Sequence, residues 1–169
     1  MDLAARVAEL ERRLAVVEAA QQGPERTAVT PGDELWASNQ LQEVFAAANE
    51  PNGGVLFAGS LRLPTGEQYG WQMGFTTDDL LADEGYEAAE CLAALGNPVR
   101  LRLLQEILAG RRTAAELAGV DGVGTSGQVY HHLRQLAAVG WLHTVGRGRF
   151  EVPSGRVVPL MVALASARR

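Results

Sequence analysis

Thr113-Ala114-Ala115-Glu116-Leu117-Ala118, a glycine-bearing turn over 120–124, and then Thr125-Ser126-Gly127-Gln128-Val129-Tyr130-His131-His132-Leu133-Arg134-Gln135-Leu136 is the stretch that decides the fold of this chain. Thr113 can cap a short helix, and Glu116, three residues on, completes a capping box. Thr125 caps a longer helix that runs to Gly140. In the longer helix Val129, Leu133 and Leu136 recur at i, i+4 and i+7, so one face seeks a core while His131 and Arg134 point away from it. Short helix, turn, longer helix is a helix-turn-helix.

Working upstream, Asn97 is a good N-cap and Pro98 suits the first helical position. Val99, Leu101, Leu103, Leu104, Ile107 and Leu108 give that helix a wide apolar face, and Gly110 ends it. Downstream, 141–145 and 149–152 read as two strands around Gly146-Arg147-Gly148, a tight turn that makes a wing. Arg147 and Arg149 stand where a wing tip meets phosphates or the minor groove. Thr125, Ser126 and Gln128 stand at the N-terminal end of the longer helix, where recognition helices meet base edges. The last helix, about 154–167, carries Val157, Val158, Leu160, Met161, Val162 and Leu164 and is apolar on more than one face, so it needs a substantial partner surface.

The motifs Leu92-Ala93-Ala94-Leu95-Gly96-Asn97-Pro98-Val99-Arg100-Leu101-Arg102-Leu103-Leu104, Val129-Tyr130-His131-His132-Leu133-Arg134-Gln135-Leu136 and Gly140-Trp141-Leu142 come in that order. Together they resemble the ArsR-type winged-helix repressors, over about 86–169. The resemblance implies a dimer whose recognition helices enter successive major grooves of double-stranded DNA and whose affinity an effector switches. Matched by motif, the DNA-contact positions are Thr125, Ser126, Gln128, Tyr130, His131 and Arg134; members commonly carry Ser where Tyr130 stands. The C-terminal helix is the family's dimerisation helix, which assigns Leu160, Met161 and Leu164 to a subunit interface. Many members sense metals, and here the chain departs from them. The short helix 114–118 offers no thiol or imidazole, and the C-terminal helix has no His, Asp, Glu or Cys. His131 and His132 diverge by about 100° on their helix, which suits a DNA contact and a packing role. We therefore expect no metal site and no cofactor.

The front half reads differently. Leu3, Val7, Leu10, Leu14 and Val17 follow the four-three rhythm of a heptad seam within a helix over 1–22. With Val7 and Leu14 at a, and Leu10 and Val17 at d, Arg6 and Arg13 face Glu11 and Glu18 of a parallel partner. A parallel dimer and a lone amphipathic helix lying on its own domain are the two readings. A polar Gly-Pro linker follows. Then comes a segment over 30–76: a helix capped by Thr30 and stopped at Asn52-Gly53-Gly54, and strands over 55–63 and 67–75 joined by Pro64-Thr65-Gly66. Tyr69, Trp71, Met73 and Phe75 alternate with small or polar residues. Their face is either packing for a neighbouring helix or a surface for a small-molecule effector, a protein effector or dimerisation. From 77 onward a helical stretch with a break near Gly85 leads into the DNA-binding part, 77–169. The fold class expected is α+β, mainly helical with β-hairpins.

Charge divides the chain in the same place. Residues 1–90 hold five Arg against sixteen acids, a net charge of -11, and residues 91–169 hold ten Arg against four acids, a net charge of +6. The basic part is the one suited to nucleic acid. The sequence has no lysine, so every fixed positive side chain is a planar guanidinium able to bind phosphate or guanine with two parallel hydrogen bonds. Cys91, the single cysteine, excludes an internal disulfide and suits a reducing cytoplasm. Neither a membrane-spanning run nor an export signal is legible, and neither is a phosphate loop, a paired-carboxylate site or a nucleophile-base motif. The expectation is a non-enzymatic, cytoplasmic, dimeric DNA-binding transcription regulator of repressor type. A winged-helix module for protein assembly is the alternative.

Overall fold

The computed structural model describes residues 36–168 apart from Arg147. The heptad residues Val7, Leu10, Leu14 and Val17 and the expected Thr30 cap lie outside the described residues, as does the wing residue Arg147. Seven helices and two antiparallel hairpins are described, an α+β fold. In chain order they are α1 (Trp36–Ala47), β1 (Gly54–Arg62), β2 (Gln68–Thr76), α2 (Thr77–Ala82), α3 (Tyr86–Leu95), α4 (Pro98–Leu108), α5 (Ala114–Ala118), α6 (Ser126–Ala138), β3 (His143–Val145), β4 (Arg149–Glu151) and α7 (Ser154–Ser166). None of the described helices is long and apolar enough to cross a membrane.

Local chemistry sets most of the boundaries. Helix α1 stops earlier than the Asn52-Gly53-Gly54 signal, because Asn49 takes a left-handed conformation at φ 60°. The Glu50 amide then donates to the Phe45 carbonyl and the Asn49 amide to that of Ala46, which is a Schellman closure. The same closure ends α4 at Gly110 and α6 at Gly140. Asn97 caps α4 by accepting from the Val99 and Arg100 amides, with Pro98 in the first turn. The break near Gly85 separates α2 from α3, and Thr76 caps α2 by accepting from the Asp79 amide.

Four helices and the wing share one core. Leu103, Leu104 and Ile107 of α4, Leu117 of α5, Val129, Leu133 and Leu136 of α6, and Val157 and Leu160 of α7 are enclosed, with Trp141, Leu142 and Phe150 beside them. Each such side chain contributes about 1.5–3 kcal/mol by leaving water. The indole of Trp141 donates to the Cys91 carbonyl at 3.0 Å, and the Arg156 guanidinium lies over its ring at 4.9 Å. Glu106 is the buried charged residue of α4. Arg102 at 2.7 Å and Arg111 at 3.1 Å hold its two carboxylate oxygens.

Strands β1 and β2 pair over nine residues each, from Gly54 opposite Thr76 to Arg62 opposite Gln68. The turn forms as expected: the Gly66 amide donates to Leu63, Gly66 adopts φ 88°, and Leu63 and Glu67 close the loop. Val55, Phe57, Leu61, Tyr69, Trp71, Met73 and Phe75 fall on one face through this register. That face packs against α7, at the far end of the sequence. Gly59 marks the closest approach, since a Cβ there would lie 2.7 Å from Cγ1 of Val158. The hairpin and the winged helix belong to one compact unit beginning at Leu41.

Candidate nucleic-acid interface

Helix α6 separates its two faces cleanly. Val129, Leu133 and Leu136 are sealed in the core, and Thr125, Ser126, Gln128, Tyr130, His131 and Arg134 are all exposed. Ser126, Tyr130 and Arg134 lie four apart, with His131 beside them, so they form one stripe along the outer face. Gly127 belongs to the same stripe, and a Cβ there would meet nothing within 4 Å. Sequence reasoning passed over it because a glycine inside a helix advertises no chemistry. Its effect is to leave the first turn bare, so that a ligand could approach the backbone closely.

Two of the six residues have a prior engagement. The Thr125 hydroxyl accepts from the Gln128 amide, and the Gln128 side-chain oxygen accepts from the Thr125 amide at 2.8 Å. This is a second capping box. Its spacing was as legible as that of Thr113 and Glu116. Gln128 thereby commits its carbonyl oxygen to the helix end and keeps its amide NH2 for outside contacts. The first box is present as expected: Glu116 accepts from both the backbone and the hydroxyl of Thr113. Those bonds, the backbone one first, hold its carboxyl below the ordinary range.

The two histidines divide as their spacing implied. His131 faces solvent, whereas His132 is half-buried, its Nδ1 enclosed and without a hydrogen-bond partner. Among the described residues no group of three His, Cys, Asp or Glu side chains could hold a metal ion. Cys91 is half-buried, its thiol 3.6 Å from the Val139 carbonyl.

The wing is short. Trp141 and Leu142 are core residues that precede it, and the strands pair only through His143 with Glu151, Thr144 with Phe150 and Val145 with Arg149. Arg149 is exposed on β4. Arg100 sits apart from this face. Its guanidinium donates to the carbonyls of Ala93 and Ala94 and to Gln135, closing the end of α3 against α6.

The remaining sequence-derived positions scatter. Leu160 is fully enclosed in the core of its own chain, so it has no surface to offer a subunit; Met161 and Leu164 are half-buried on the same helix. Of the four hairpin residues, Tyr69 packs against the core, and burial pushes its phenol above the ordinary value. Trp71 is half-buried and lies 5.6 Å from Phe57, ring to ring. Met73 and Phe75 remain exposed, Phe75 stacked on Phe57 at 6.3 Å.

No family model and no curated protein matches the chain. Among solved structures, an O-methyltransferase from neocarzinostatin biosynthesis, in complex with S-adenosyl-L-homocysteine, aligns over 46% of this chain at 34% identity and a TM-score of 0.31. The chain matches 23% of that enzyme's length, and so partial a superposition bears on neither the fold nor the activity.

Proposed function

We propose that this chain is a dimeric, sequence-specific DNA-binding regulator of the ArsR type, acting as a repressor, with α6 in the major groove and the wing on the backbone or minor groove. The observation that supports it is the outer stripe of α6: Ser126, Gly127, Tyr130, His131 and Arg134 are exposed on a doubly capped helix whose other face is locked in the core. Arg134 is suited to a guanine edge, and the first turn of α6 to phosphate. The net charge of the part from Cys91 onward has the sign such a role needs. Met161 and Leu164 are the C-terminal candidates for the subunit contact, with the N-terminal heptads as a second one. The protein binds rather than catalyses, without metal or cofactor. Met73 and Phe75 are the hairpin residues placed to meet a small-molecule or protein effector.

DNA binding through several arginines weakens steeply as salt rises. Replacing Arg134 with Ala should reduce discrimination between a selected site and random duplex, whereas Arg149→Ala should weaken both about equally. Binding measured by fluorescence anisotropy over a salt series checks this. A flat salt response would favour the protein-assembly reading instead.

A further inference from the structure

Arg112 sits at a junction that no role described above uses. It follows the Schellman turn at Gly110 and directly precedes the Thr113 cap, so its backbone is constrained on both sides. Its carbonyl accepts the Phe150 amide at 2.7 Å, and Thr113 forms a bridge with Arg149. Residues 112 and 113 thus lie along β4 like a short third strand. The Arg112 side chain is only 16% exposed, and its guanidinium forks. Nη1 donates to Glu151 of β4 at 2.8 Å, and Nη2 donates to Glu67, just past the turn of the first hairpin, at 2.6 Å. The Thr65 hydroxyl donates to the same Glu67 oxygen at 2.9 Å. Among the described residues no other ion pair joins the two hairpins.

We propose that Arg112 is a positioning residue for the wing: it ties β4 to the first hairpin, so that the seating of that hairpin sets how the wing is presented. A planar guanidinium with two carboxylate partners fixes direction as well as distance, which an ammonium on a flexible stem does not. Partly buried charges of this kind are costly to desolvate, and apolar side chains would supply stability more simply. Geometry is what the fork adds. The wing's own ladder has three residue pairs, and Phe150 with the bridge from Thr113 to Arg149 holds the base of β4 to the body; the fork adds a fixed direction at Glu151. A partner that lifts the turn carrying Glu67 would therefore release one arm of the fork and loosen β4. The coupling itself needs no DNA; its consequence for DNA rests on the reading proposed above.

Amide hydrogen exchange on the full chain without DNA tests the coupling. Glu67→Gln, a substitution at a half-exposed site, should speed exchange of the Phe150 amide by about tenfold while the Val129 and Leu133 amides of α6 stay within about twofold. Arg112→Lys keeps the charge without the fork and should give a partial version of the same local change. If Phe150 exchange is unchanged in both variants, the proposal is overturned. It is equally overturned if α6 and β4 accelerate together, for then the triad only contributes global stability. For DNA, the cost of Arg149→Ala should shrink at least about twofold in a Glu67→Gln background, because a loosened wing already contributes less. A chain that does not bind DNA at all would refute the regulator and leave the exchange result standing.

Discussion

The winged helix and the first hairpin are held together in different ways. In the winged helix the ends of α4 and α6 and the start of α5 are closed by local sequence, through the Asn97 cap, two capping boxes and glycine closures at Gly110 and Gly140, and the core between them is sealed. The first hairpin has longer strands and a continuous apolar face, yet Met73 keeps 40% and Phe75 38% of their surface in solvent. Its turn end is seated on the core through Leu61, Leu63 and Tyr69, Gly59 meets Val158, and Glu67 meets Arg112. A two-stranded hairpin alone is marginal in water. The comparison teaches that the winged helix is closed largely by local signals, whereas the hairpin depends on side chains 45 residues away, at Arg112, and about a hundred away, at Val158, and should open first.

The largest test breaks the winged-helix core. Leu133→Ala removes a fully enclosed side chain of α6 and should cost about 2–5 kcal/mol in urea unfolding, destabilising both regions together. Next comes the hairpin. Gly59→Val drives a branched side chain into Val158 and should cost about 1–3 kcal/mol, with hairpin amides losing exchange protection before those of α6. Simultaneous loss would show that the two regions are one cooperative unit. A smaller effect is expected from Thr125→Ala, about 1 kcal/mol, with fraying confined to the first turn of α6 as seen by carbon chemical shifts.

The mildest perturbation is pH. The hydrogen bond from Arg112, and after it that from Thr65, hold the Glu67 carboxyl below its ordinary value of 4.5. The folded chain then binds fewer protons at this site than the unfolded chain does. Its contribution is therefore complete above the ordinary carboxylate range and fades as pH falls through the depressed folded value. Hairpin protection should accordingly hold constant from about pH 8 to about pH 6 and decline only below about pH 4.5, and the decline should be weaker in Glu67→Gln.

These differences also explain what could be read from the residues alone. Capping residues, the i, i+4, i+7 pattern of α6 and the Pro64-Thr65-Gly66 turn act over a few positions, so the sequence displays them directly. The two faces of α6 and the wing strands followed from that. Where Asn49 preempts the later glycines, two local signals competed and the nearer closure won. The packing of the hairpin on α7 was not legible, because nothing in 154–166 identifies Gly59 as its neighbour. Leu160 illustrates the same gap: periodicity marks it as apolar, but only the tertiary structure shows that its own chain already covers it. Arg112 reads as one more basic residue of the C-terminal part until the fold brings Glu67 and Glu151 to either side of it.

Trp141 has a consequence for experiment. Sealed under Arg156 with its indole N–H bound, it should emit in the blue and shift to the red only when the winged-helix core opens. Trp71 occupies the hairpin, half-covered, and Trp36 is exposed on α1. With Trp36 replaced by Phe, each region would carry one intrinsic fluorophore, and a single emission spectrum recorded during unfolding would show which of them lets go first.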